Sequence, residues 1–81
     1  MKLIVELTNK IKSDYPFNKV NQINNDTIQI ARKLNAADIT KIYNYYNNLI
    51  ETKGIFSSGN IDIVFINPNI TKLKFYIDLP F

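Results

Sequence analysis

Residues 72–79 alternate without a break. Leu73, Phe75, Ile77 and Leu79 fall on one side of an extended chain, and Lys72, Lys74, Tyr76 and Asp78 on the other. A helical period would scatter these apolar residues around a cylinder, so the segment predicts a strand with one side buried. Such a strand needs neighbours along its edges and a second layer over its apolar side. The rest of the chain supplies both. Just upstream, residues 61–66 form a nearly continuous apolar strand, and Asn67-Pro68-Asn69 is a turn, which makes a hairpin.

The covering layer is legible as two helices. In residues 3–14, Leu3, Ile4, Leu7 and Ile11 recur at helical spacing, and the pattern stops at Tyr15-Pro16, because the residue before proline avoids the α region. Residues 35–53 give the stronger helix. Asn35 is a good N-cap, and Asp38 three positions on completes an arrangement like a capping box in the positive first turn. Ile39, Ile42, Tyr43, Tyr46, Leu49 and Ile50 form one apolar stripe, and Gly54 offers a left-handed stop after Lys53.

Between the helices the spacing changes again. Residues 20–23 and 27–34 flank Asn24-Asn25-Asp26, a cluster that favours turns, so a first hairpin is expected. In its second strand Ile28, Ile30 and Leu34 share one parity, with Gln29, Ala31 and Lys33 on the other. Val20 and Ile23 have opposite parity, which suggests a bulge in the first strand.

The predicted order is αββαββ, a two-layer α+β sandwich whose four-stranded sheet carries two helices on one face. The connection rules favour a right-handed crossover from the second strand through the second helix to the third strand, with both hairpins antiparallel. That is the arrangement made by moving the first strand of a ferredoxin-like chain to its end, and it puts the last strand near the middle of the sheet. The two halves share their order of elements, but no repeat of residues relates them.

With 81 residues there is room for one domain spanning 1–81, and such a chain buries only roughly 60% of the surface its unfolded form exposes. An apolar fraction of 46% argues against disorder. The chain contains no cysteine and no histidine, which removes disulfides, thiolate ligands, cysteine nucleophiles and the usual general base. No cofactor and no metal site is expected. Met1-Lys2-Leu3-Ile4-Val5-Glu6 lacks the features of a secretory signal, and no run approaches the ~20 apolar residues that span a bilayer, so the cytoplasm is the default compartment and no membrane contact is expected. Net charge is +3 with no cluster of basic residues, and Arg32 is the one side chain able to make a bidentate contact. Abundant Ile, Asn, Lys, Tyr and Phe point to AT-rich codons and hence to a low-GC bacterial, phage or plasmid gene.

The candidate chemistry is sparse. Seven carboxylates are scattered along the chain. Asp26 and Asp38 have turn and helix-start roles, while Asp62 and Asp78 sit on the last two strands, where they face one another only if the hairpin register allows. Ser57-Ser58-Gly59-Asn60 lacks the spaced glycines, lysine and following helix of a phosphate-binding loop and reads as a connection.

The informative surface is the open face of the sheet. It is expected to present Lys72, Lys74, Tyr76 and Asp78, then Gln29, Ala31 and Lys33, and either Asp62, Val64 and Ile66 or Ile61, Ile63 and Phe65. Either choice puts apolar surface outward, which marks a partner surface, a dimer interface or a face covered by Leu79-Pro80-Phe81. A second candidate surface is the outer side of the second helix, with Tyr45 and Asn48.

The sequence therefore points to a non-enzymatic protein that binds a protein partner or a second copy of itself. Its contacts are expected at Lys33, Lys72, Lys74 and Tyr76, with Tyr45 and Asn48 secondary. Small size and the codon signature extend this, by analogy alone, to a phage or mobile-element inhibitor of a host nuclease such as a CRISPR effector. The alternative is a nucleic-acid-binding module, in which lysines contact phosphate and Tyr76 stacks a base. A third reading is a subunit of a larger assembly.

Overall fold

A computed structural model describes residues 3–54 and 59–76. Its elements run α1 (Leu3–Asp14), β1 (Val20–Gln22), β2 (Thr27–Ile30), α2 (Ala36–Lys53), β3 (Ile61–Asn67) and β4 (Ile70–Phe75). The strands form one antiparallel sheet in the order β1-β2-β4-β3. The last strand lies inside the sheet, between β2 and β3, as the permuted ferredoxin-like order requires.

The register explains the two layers. Ile28 of β2 lies beside Leu73 of β4, which lies beside Ile63 of β3, and Ile30, Thr71 and Phe65 form the next row. Ile28, Ile30, Thr71, Leu73 and Phe75 are fully buried on this side. They pack with Leu3, Ile4, Leu7 and Ile11 of α1 and with Ile42 and Tyr46 of α2 in one core. Tyr46 meets the ring of Phe75 edge-on, with centroids 5.1 Å apart, and its hydroxyl donates to the carbonyl of Tyr76. A tyrosine at full burial needs such an acceptor, and the sheet provides it where β4 ends.

Asp38 ties several parts of the fold together. Its carboxylate accepts from the Asn35 backbone N–H (3.1 Å), while the Asn35 side chain accepts from the Asp38 N–H (2.8 Å), closing a capping box. The same carboxylate takes the Tyr15 hydroxyl at 2.7 Å and Arg32 Nε at 3.2 Å. Arg32 also lies over the Tyr15 ring, 5.1 Å from its centroid. Burial alone would raise the Asp38 pKa, but hydrogen bonds from Tyr15, the Asn35 backbone and Arg32 outweigh it and hold the group below its ordinary value. Tyr15 is pushed up to about 12, first by burial and then by its bond to Asp38.

Two expectations about the first hairpin need correction. β2 ends at Ile30 and does not run on to Leu34. The Arg32 N–H turns back onto the Ile30 carbonyl (2.9 Å), and the Arg32 side chain leaves for Asp38. Leu34 is buried, yet it gets there from a loop. Its N–H donates to the hydroxyl of Thr71 (3.2 Å), which in turn donates to the Arg32 carbonyl (2.7 Å). Ala31 and Lys33 therefore leave the sheet, and Lys33 sits exposed in the loop before α2. In β1 no bulge separates Val20 from Ile23. The strand stops at Gln22, and the Ile23 N–H closes the turn onto the Thr27 carbonyl at 2.8 Å.

The expected apolar stripe of α2 is also narrower than its sequence suggests. Ile42 and Tyr46 are buried, Ile39, Leu49 and Ile50 pack partly against the core, and Tyr43 remains largely exposed. Gly54 ends the helix in the left-handed region, at φ 64°.

Candidate protein-binding surface

The outer face of the sheet is set by the same register. Thr27, Lys74 and Asp62 form one row across β2, β4 and β3, and Gln29, Lys72 and Val64 form the next. The ambiguity of the third strand is thereby resolved: Asp62 and Val64 look outward, while Ile61 and Ile63 are half-buried on the helix side. Tyr76 extends β4 by one residue, its N–H donating to the Asn60 carbonyl at 3.1 Å.

Three side chains on this face form a local cluster. The Tyr76 hydroxyl donates to the Asp62 carboxylate, and Lys74 Nζ sits 5.1 Å from the centroid of the Tyr76 ring. The bond to Asp62 raises the Tyr76 pKa, with desolvation and the negative charges of Asp62 and Asp26 adding to it. Asp62 thus orients the tyrosine. Asp78, the other carboxylate of the last two strands, lies outside the described residues. Among the described residues no group of acidic side chains gathers to hold a metal ion.

The far end of β3 carries a run of three exposed apolar residues. Val64, Phe65 and Ile66 are 53%, 49% and 50% exposed. They are consecutive, so they project to both sides of the strand, and Phe65 is half in solvent although its register points it toward the helix layer. The end of β3 runs past the cover that α1 and α2 give to the middle of the sheet. Its ladder with β4 shifts between Phe65 and Asn67 and closes at the Asn67–Ile70 pair.

The remaining predicted residues divide cleanly. Lys72, Lys74 and Tyr76 share the outer face, and Lys33 does not join them. Tyr45 and Asn48 lie elsewhere, in a shallow groove of about 290 Å³ that Glu6, Lys10 and Leu49 complete. Tyr45 is half-buried against α1, with Lys10 Nζ 4.9 Å from its ring centroid. A hydrogen bond to Asp14 is the main cause of its raised pKa. It ties α2 to α1, together with the Lys53–Glu6 (3.2 Å) and Lys41–Asp14 (3.7 Å) ion pairs.

The connecting loop before β3 gains a structural explanation at Gly59. This residue is buried in the left-handed region, at φ 74°, and a Cβ there would lie 3.0 Å from the side-chain oxygen of Asn47. Ser57 and Ser58 lie outside the described residues.

One exposed aromatic escaped the sequence reading. Phe17 is 99% exposed in the turn after α1. Its position directly after Pro16 was the available signal, since a residue that starts a loop has no partner strand or helix to hide it.

Among the described residues no helix is long and apolar enough to cross a membrane. Compared with known proteins, the chain matches no family model, no curated protein and no solved structure.

Proposed function

We propose that this protein works by binding another protein chain through the β3–β4 side of its sheet, without catalysing a reaction. The observation that carries the reading is the half-exposed run Val64-Phe65-Ile66, set beside an outer face where Asp62 and Lys74 hold Tyr76. Fixed aromatic and aliphatic side chains beside lysines suit a protein interface, because a pre-oriented tyrosine loses little entropy on contact. Nucleic acid is less well served. Base stacking calls for aromatics on adjacent strands, whereas Gln29 is what the neighbouring β2 offers opposite Lys72. A finer reading, an inhibitor of a bacterial host's nuclease defence, has the support of small size, composition and the lack of histidine and cysteine alone.

The test is affinity capture from the native host with identification by mass spectrometry, using the wild-type protein and the Tyr76→Ala and Lys74→Glu variants. A specific protein should be captured by the wild type and lost, at least about tenfold, by each variant, a difference worth about 1.4 kcal/mol. Both variants should melt within about 0.5 kcal/mol of wild type, as surface substitutions do. Salt-sensitive binding of an oligonucleotide with no protein captured would overturn the reading in favour of nucleic acid.

A further inference from the structure

Among the described residues no strand pairs with the outer edge of β3, and that edge has a definite hydrogen-bonding polarity. The Tyr76 N–H donates to Asn60, on the β3 side, whereas the Phe75 N–H donates to Asp26, on the β2 side, at 2.8 Å. In an antiparallel ladder this alternation continues along the strand. Asp62 and Val64 therefore spend their backbone groups on β4, and Ile61, Ile63 and Phe65 turn theirs toward the open edge. Residues 61–66 read Ile-Asp-Ile-Val-Phe-Ile, with no lysine, arginine or proline. Those are the residues by which exposed edges usually avoid pairing with another strand.

We infer that the occupant of this edge is a second copy of the chain, pairing β3 with β3 in antiparallel fashion about a two-fold axis at Ile63. The inference rests on the protein-binding reading above and names its partner. Symmetry and the polarity of the edge leave few registers. With Ile63 opposite its own copy, Ile61 meets Phe65 of the second copy, and all three present outward-turned backbone groups to one another. Their side chains, now half-buried or half-exposed, form one apolar row continuous with both cores.

On the outer face the same register puts Asp62 of one copy opposite Val64 of the other. The row then reads Lys72, Val64, Asp62 and Lys74 across the junction, so each Asp62 has a lysine on its own sheet and Lys72 of the other copy two strand spacings away, about 10 Å. A slip that pairs Ile63 with Ile61 brings the two Asp62 side chains face to face, and like charges directly opposite are destabilising. A slip in the other direction pairs Ile61 with Asn67, across the irregularity between Phe65 and Asn67. Charge and register favour the pairing centred on Ile63.

The test measures mass and register together. Sedimentation equilibrium of the full chain should give twice the 9.4 kDa chain mass at micromolar concentration. The chain has no cysteine, so Ile63→Cys should cross-link to itself under mild oxidation, since paired Cα atoms about 5.5 Å apart suit a disulfide. Val64→Cys should link poorly, because the copy's Asp62 faces it. Val64→Asp should weaken the dimer about tenfold, and Val64→Lys should keep or tighten it. An edge that is merely sticky would lose affinity with either charge, and that result would overturn the pairing. Amide exchange keeps the test sound if a variant misfolds. Ile61, Ile63 and Phe65 should be protected in the wild type and lose protection on dilution to the monomer. A wild-type monomer in which they exchange freely would overturn the inference while leaving capture of a different protein by the sheet intact. A monomer in which they stay protected would overturn it in favour of another segment of the same chain.

Discussion

At one edge of the sheet, β1 runs for three residues, and Val20 and Gln22 face outward along its backbone. At the other, β3 runs for seven, and Ile61, Ile63 and Phe65 do so. The short edge is flanked by polar side chains. Asn18 Nδ2 donates to the Ala31 carbonyl (2.9 Å), Gln22 Nε2 donates to the Asn24 carbonyl (3.2 Å), and α1 packs Val20 into the core. The long edge has an apolar sequence and half-exposed side chains on both faces. A strand that is brief and flanked by polar side chains resists pairing, and one that is long and apolar invites it. The comparison teaches that the two edges of one sheet differ in length and polarity, β1 short and polar and β3 long and apolar.

That contrast can be broken most forcefully at Asp38, which anchors Tyr15, Arg32 and Asn35. Asp38→Ala deletes the capping box and strands both Tyr15 and Arg32, and should cost about 3 kcal/mol in chemical denaturation. A loss under about 1 kcal/mol would mean the network adds little to stability. Next, Val20→Ala and Phe65→Ser set the two edges against each other. The first empties a buried site and should cost about 2 kcal/mol. The second changes a half-exposed residue and should cost about 0.5 kcal/mol in the monomer, its main effect appearing in association. Equal losses would erase the distinction between the edges.

The effects of pH belong to the same network, and their signs follow from it. Tyr15 has a folded pKa raised to about 12 from an ordinary value near 10. Its contribution is complete below pH 10 and is lost as pH rises through about 12. Asp38 is lowered instead, so its contribution is complete above the ordinary carboxylate value and is lost as pH falls through its folded pKa. Thermal melts should therefore decline at both extremes, and Tyr15→Phe should flatten the alkaline decline and also soften the acid one, because it removes a bond that lowers Asp38. If that variant keeps the full alkaline loss, the hydroxyl is not the group responsible.

Which parts of this were legible in the sequence follows a physical line. The faces of β4 were readable because Leu73 and Phe75 alternate with Lys72 and Lys74, and a one-sided strand leaves no freedom of parity. The α2 cap was readable because Asn35 and Asp38 act on each other locally. β2 was read too long because Ala31, Lys33 and Leu34 keep its parity by chance, while the signal that ends it lies far away in Thr71 and Asp38. Tyr45 was placed in solvent because a single-helix projection cannot register that α1 lies beside it. β3 could not be oriented from its own residues, since both its faces are apolar, and its pairing with β4 decided the matter. The surface that remained was recognised as apolar, but the polarity of its backbone needed the ladder.

The central position of β4 has a consequence for how the molecule is made. The β1–β2 hairpin and β3 share no ladder and join only through a strand that follows all three in sequence. Thr71 on that strand also fastens the loop that leads into α2, through partners 37 and 39 positions away. Contacts of such separation slow folding, because the loop must close before they return any energy. Until residues 70–75 have been made, a growing chain has no strand to join the hairpin to β3, so the four-stranded sheet can form only after the last strand is present.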